Sequence, residues 1–154
     1  MTSLHTSRID ASATMNWRRI LIGGVLLEFL LFVVLIPIGL AFGMPGAPEA
    51  TDFTVFFVAV PVGCFVGGYT VAAWMLRRLT FRRALHGALM GLLATVLYLG
   101  ICAVQPGGVP AAIAGYGPPL FWVSQALRIA GCVLGALHGR RRSAAHRSVQ
   151  PLLH

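Results

Sequence analysis

Apolar and polar positions alternate along this chain on a long scale, with extended hydrophobic runs separated by short polar breaks. A bilayer's hydrocarbon core of about 30 Å takes about 20 apolar residues of helix to cross. Four runs meet that length, the first three at about 20–42, 53–76 and 84–104. The fourth is less regular. The stretch from Gln105 to Pro119 is too rich in Gly and Pro for a regular helix. The last span is therefore expected to start near Pro119, a residue suited to a first helical turn, and to end near Leu137. The intervening stretch is apolar enough to lie at the membrane interface. The pattern predicts an all-α integral membrane protein of four transmembrane helices, with polar tails over 1–19 and 138–154.

Composition sharpens this picture. The chain is 57% hydrophobic and 10% charged, whereas a soluble domain carries about 25% charged residues. A water-facing surface cannot be assembled from that supply. The net charge of +8 would suggest a nucleic-acid partner in a soluble protein, so the placement of the charges decides. All 12 basic residues are arginines, and the acids are Asp10, Glu28, Glu49 and Asp52. Arg8, Arg18 and Arg19 precede the first span. Arg77, Arg78, Arg82 and Arg83 fill the break between the second and third, and Arg140, Arg141, Arg142 and Arg147 follow the fourth. Every arginine except Arg128 thus falls on one side, which the positive-inside rule assigns to the cytoplasm. Both termini are expected there. The basic cluster is accounted for by orientation, with attraction to anionic lipid as a consequence, and nucleic acid drops out as a partner.

Trp17, Trp74 and Phe81 stand beside the arginines as interfacial anchors would, and Tyr116 and Trp122 could serve the other side. The small residues from Ala41 to Ala47 would also fit a signal-peptide cleavage site, but the apolar run before them exceeds the about 7–15 residues of a signal peptide. The first span is read as uncleaved.

Lipid tails give helices no hydrophobic reason to meet, so close packing in a membrane depends on small residues. Gly63 and Gly67, Gly87 and Gly91, and Gly131 and Gly135 form pairs at helical spacing in spans two to four, and Gly68 starts a second row with Ala72. They predict a tight, glycine-rich bundle, and serve equally for contacts within one chain or between two. Pro37 and Pro61 fall toward the outer halves of their spans. A kink at each is compatible with ordinary packing or with a shallow cavity opening outward.

Two ionisable residues interrupt the spans. Glu28 lies about 13 Å into the membrane from Arg19, and Arg128 about 18 Å in from Arg140, at 1.5 Å per residue. A charge at such depth calls for a partner or a role. Side chains lean toward their own helix N-terminus, which sets the two leaning apart. Against this, Arg128 shares a helix face with Ser124, Gly131 and Gly135, Glu28 lies one turn from Gly24, and Gln125 adds a further polar group. Three readings stand: an ordering ion pair, separate neutralisation, or a site for a proton, ion or anionic ligand. A second candidate is the repeated Ala-Leu-His-Gly, which sets His86 at the start of span three and His138 at the end of span four. Two histidines at one level could ligate haem, although no third ligand or carboxylate stands near, and no cofactor is expected. Cys64, Cys102 and Cys132 sit in apolar runs without metal spacing and read as small buried hydrophobes.

The segments Val66-Gly-Gly-Tyr-Thr-Val-Ala-Ala-Trp74 and Leu85-His-Gly-Ala-Leu-Met-Gly-Leu-Leu93, with Leu97-Tyr98, resemble a group of small bacterial four-span membrane proteins. The resemblance covers spans two and three. It implies a four-span fold in a bacterial cytoplasmic membrane and brings no activity with it. No paired carboxylates, Ser/His/Asp set or phosphate-cradling loop can be assembled from four such acids. The expectation is a non-catalytic accessory or assembly subunit, partnered by the bilayer and by a membrane protein or a second copy. The alternative is a small transporter or channel using Glu28 and Arg128, and a haem-binding redox subunit comes last.

Overall fold

The structure is a computed structural model. It describes residues 15–42, 53–79 and 81–149, with the side chains of 53, 54, 56 and 140–149 excepted. Five helices follow one another: α1 (Trp17–Phe42), α2 (Phe53–Met75), α3 (Arg83–Ala103), the short α4 (Gly108–Tyr116) and α5 (Pro118–Val149). Four of them are long and apolar enough to cross a membrane, α5 over Pro118–Gly139. The described residues contain no strand. Asp10, Glu49, Asp52 and Arg8 lie outside the described residues, as does the small-residue stretch from 43 to 47.

Two boundaries differ from the sequence expectation. The Gly/Pro-rich stretch carries a nine-residue helix, α4. Pro110 sits in its first turn, where a missing N–H costs nothing. Gly107, Gly108 and Gly117, at φ of 82°, 60° and 77°, make the turns on either side, in the left-handed region that glycine enters freely. The other difference is α5, which begins at Pro118 and continues past Leu137 to Val149. The apolar run ends near Leu137, but nothing in Arg140-Arg-Arg-Ser-Ala-Ala breaks a helix. The end of the membrane-crossing stretch and the end of the helix are separate events.

The four long helices stand in the order α1–α2–α5–α3 around the bundle, with α1 and α5 diagonally opposed and not in extensive backbone contact. α5 is the central element. A Cβ on Gly131 would stand 2.3 Å from the Phe65 carbonyl oxygen, and one on Gly135 would stand 2.1 Å from that of Tyr69. Gly139 repeats the approach at Ala73, 3.1 Å away. The steps of four on both helices mean that α2 and α5 run parallel, with glycine faces lying on carbonyl rows. Contacts of this kind bring Cα–H groups onto carbonyl oxygens, each a weak favourable interaction. On its other side α5 meets α3, where Gly87 faces Cys132 and Gly91 faces Ile129. Gly68 of α2 faces the Arg128 carbonyl at 2.7 Å.

α1 is held less tightly. Leu27 and Leu31 fill the space over Gly67 and Gly63 of α2, while Met90 and Leu93 of α3 fill that over Gly23 and Gly24. Its remaining surface, including Val25, Phe29, Val33 and Leu40, is exposed, as suits a helix facing lipid.

Candidate functional site

The site begins with two helices that face each other across the bundle without extensive backbone contact. Glu28 is presented by α1 between Gly24 and Leu31, and Arg128 by α5 between Ser124 and Gly131. The Arg128 guanidinium crosses the bundle, and its Nη1 donates to Glu28 Oε1 as a hydrogen-bonded ion pair. The opposite leaning of the two side chains, which argued against contact, is overcome by the reach of the arginine. Nη1 also donates to the Ala94 carbonyl at 3.2 Å, and Nη2 lies 3.7 Å from Cys64 Sγ. The guanidinium carbon stands 5.1 Å over the Tyr98 ring, a cation–π contact on a buried side chain. All four long helices therefore contribute to holding this charge.

Both residues are buried, Glu28 at 5% and Arg128 at 3% exposure. Two opposite charges in contact leave a site with no net charge, and this is how a buried charge becomes tolerable in lipid. Ser124 is beside the pair but not part of it, since its hydroxyl donates to Leu120 of its own helix at 2.8 Å. Gln125 is buried at 6% exposure, and its Oε1 has no hydrogen-bond partner; neither has Arg128 Nε. Gln125 and Arg128 line, together with Tyr98, Tyr116 and Leu35, a chamber of about 20 Å³ next to the pair. A larger cavity of about 500 Å³ lies on the far side of the same three residues, between α1, α3 and α4.

The histidine candidates come out differently. His86 is buried at the start of α3, where its Nε2 accepts from the Asn16 backbone N–H at 3.2 Å and its Nδ1 lies 2.9 Å from the Arg82 carbonyl. An imidazole accepting at Nε2 is a donor at Nδ1, so both nitrogens are engaged and no lone pair remains for iron. His138 is exposed, its ring 5.8 Å from that of Tyr69. Among the described residues, no three His, Cys, Asp or Glu side chains cluster to hold a metal.

The basic residues at the other end divide by contact. Arg19 Nη1 donates to the Met75 carbonyl at 3.4 Å, and Arg83 Nη2 to the Arg77 carbonyl at 3.3 Å. Arg19 thus reaches the last carbonyl of α2, where a positive charge also suits the helix dipole, and Arg83 closes on the turn that follows α2. Arg18, Arg77, Arg78 and Arg82 are exposed, with Arg82 stacked 4.9 Å over Phe81. The side chains of Arg140, Arg141, Arg142 and Arg147 lie outside the described residues.

Sequence reasoning missed three groups on Arg128: the Tyr98 ring, the Cys64 sulfur and the Ala94 carbonyl. Tyr98 had a visible signal, an aromatic with a polar tip within a span. A backbone carbonyl has none.

The chain matches no protein-family model, no curated protein and no solved structure.

Proposed function

We propose that this four-span membrane protein has no catalytic activity of its own and acts as an accessory or assembly subunit, packing its outer surface against a larger membrane protein or a second copy. One observation carries the reading: the two intramembrane charges neutralise each other inside a single chain. A pathway for ions would be expected to leave one of them facing water or a subunit interface. The glycine faces are likewise occupied by the chain's own helices, so an association would use the exposed aliphatic faces. α1 is the candidate surface, because it packs on one side only.

The proposal extends to place and orientation. The arginine end would face the cytoplasm, as the asymmetry of the basic residues supports, in the bacterial cytoplasmic membrane that the resemblance of spans two and three suggests.

The test is co-purification of tagged full-length chain from its native membrane in a mild detergent, followed by mass determination of the intact assembly. A stoichiometric partner or a defined homo-oligomer is expected. A lone monomer, together with pH-dependent ion flux after reconstitution in vesicles, would overturn the reading in favour of transport.

A further inference from the structure

The geometry points to a binding site for a neutral, single-chain membrane amphiphile with a hydroxyl head, located at the arginine-free end of the bundle between α1 and α4. Its apolar part is the cavity of about 500 Å³ walled by Phe32, Ile36, Ile101 and Ala111, a volume in the range of about 300–1,000 Å³ that ligand pockets occupy. α1 and α4 make no extensive backbone contact, so this space lies in the gap between two helices that would both meet lipid. Its polar part is the adjoining chamber of about 20 Å³.

The chamber specifies the head. Gln125 Oε1 is an acceptor without a donor and Arg128 Nε–H a donor without an acceptor, both on side chains more than nine-tenths buried. Burying either unpaired is costly. A hydroxyl group carries both functions these atoms lack, a donor for Gln125 Oε1 and an acceptor for Arg128 Nε–H. The charge of Arg128 is already matched by Glu28, so a second anion would bring uncompensated charge into the bundle and a neutral head is preferred. At about 20 Å³ the chamber admits a group no larger than a water molecule, hence a hydroxyl rather than a phosphate or carboxylate.

Tyr98 and Tyr116, which line both spaces and are in hydrogen-bonding contact with each other, form the partition. Tyr116 is the last residue of α4, next to Gly117 at φ 77°. A turn of that residue would admit the head group while the chain stays in the larger cavity.

Water could occupy the chamber by the same hydrogen bonds, and the experiment separates the two sources. Full-length protein in lipid nanodiscs is irradiated with diazirine-labelled dodecanol, and in parallel with dodecane and dodecanoate carrying the same label. Adducts are mapped by mass spectrometry. Dodecanol is expected to label the cavity residues about fivefold more than dodecane, the preference that one net hydrogen bond gives, and more than dodecanoate. Gln125→Leu should bring the dodecanol-to-dodecane ratio to near one. Ala111→Trp, at an exposed wall position, should suppress all cavity labelling. Equal labelling by dodecanol and dodecane in the unmodified protein would overturn the site and leave the chamber to water. A preference that survives Gln125→Leu would overturn it too, and the Ala111→Trp result stands even if Gln125→Leu fails to fold.

Discussion

At the scale of single residues, the Glu28–Arg128 pair joins α1 to α5. These two helices have no extensive contact of their own, so the pair is the direct tie across the bundle. Removing one partner leaves the other charge buried and unmatched, which costs about 3–5 kcal/mol in comparable buried pairs. Glu28→Gln and Arg128→Gln are each expected to lose that order of stability in detergent unfolding. The double variant should recover more than half of the summed loss, because no charge is stranded. Strict additivity in this double-mutant cycle would show that the two are not coupled. Much of this was readable from the sequence. Depth along the helix and the small-residue faces brought the two charges to neighbouring levels and suitable surfaces. What decided between pairing and separate neutralisation was the rotation of α1 about its own axis, and that depends on Leu27 and Leu31 meeting Gly67 and Gly63. His86 shows the opposite case. Its repeated local sequence drew attention to it, while its partners, the Asn16 amide and the Arg82 carbonyl, are backbone groups that carry no residue signature. The Arg82 carbonyl keeps the backbone N–H of residue 86, so His86→Leu should destabilise the fold by about 1–3 kcal/mol chiefly by leaving the Asn16 amide unpaired, as measured by thermal unfolding.

At the scale of elements, α5 organises the bundle through backbone proximity. Its glycines sit on α2 carbonyls at positions where an added methyl group would collide with the backbone itself, which cannot swing aside as a side chain can. Gly135→Ala and Gly131→Ala are expected to cost at least the about 1–3 kcal/mol of ordinary overpacking and to shift thermal unfolding accordingly. Gly100→Ala is the control. Nothing lies within 4 Å of a Cβ there, so the change should be neutral or stabilising by about 0.5–1 kcal/mol through helix propensity. Equal effects at Gly135 and Gly100 would mean that α5 does not approach α2 as closely as described. The spacing of the glycines made them visible in advance as packing residues, but not the choice of neighbour, since a face of small residues fits any partner that offers a smooth surface. α4 was hidden for a different reason. Gly and Pro at its ends look like helix breakers in a composition count, and only their positions in the first turn and beyond the last turn make them compatible with a helix.

At the scale of the whole molecule, the basic residues divide by contact into two groups, from which two physically different consequences are expected. Arg19 hydrogen-bonds the last carbonyl of α2 and Arg83 the Arg77 carbonyl in the turn beyond it, so their loss is expected to act on the folded bundle. Arg77, Arg78 and Arg82 extend from the connection between α2 and α3 with exposed side chains, so their loss is expected to act on the sidedness of insertion and on lipid attraction, where each basic residue near an anionic surface is worth about 1 kcal/mol. Replacing those three with Ser is expected to lower the protection of a cysteine placed in that connection from a membrane-impermeant label applied to the outer side of intact cells. The thermal unfolding of the correctly inserted protein should change little. Arg83→Ser should do the reverse, losing about 1 kcal/mol of stability with one hydrogen bond while the label stays excluded. Both substitutions remove arginines from the same short stretch, so a model in which only charge number matters predicts parallel effects on labelling. Parallel effects would put Arg83 in the topological signal with the other three, and divergent effects would locate that signal in the three exposed arginines.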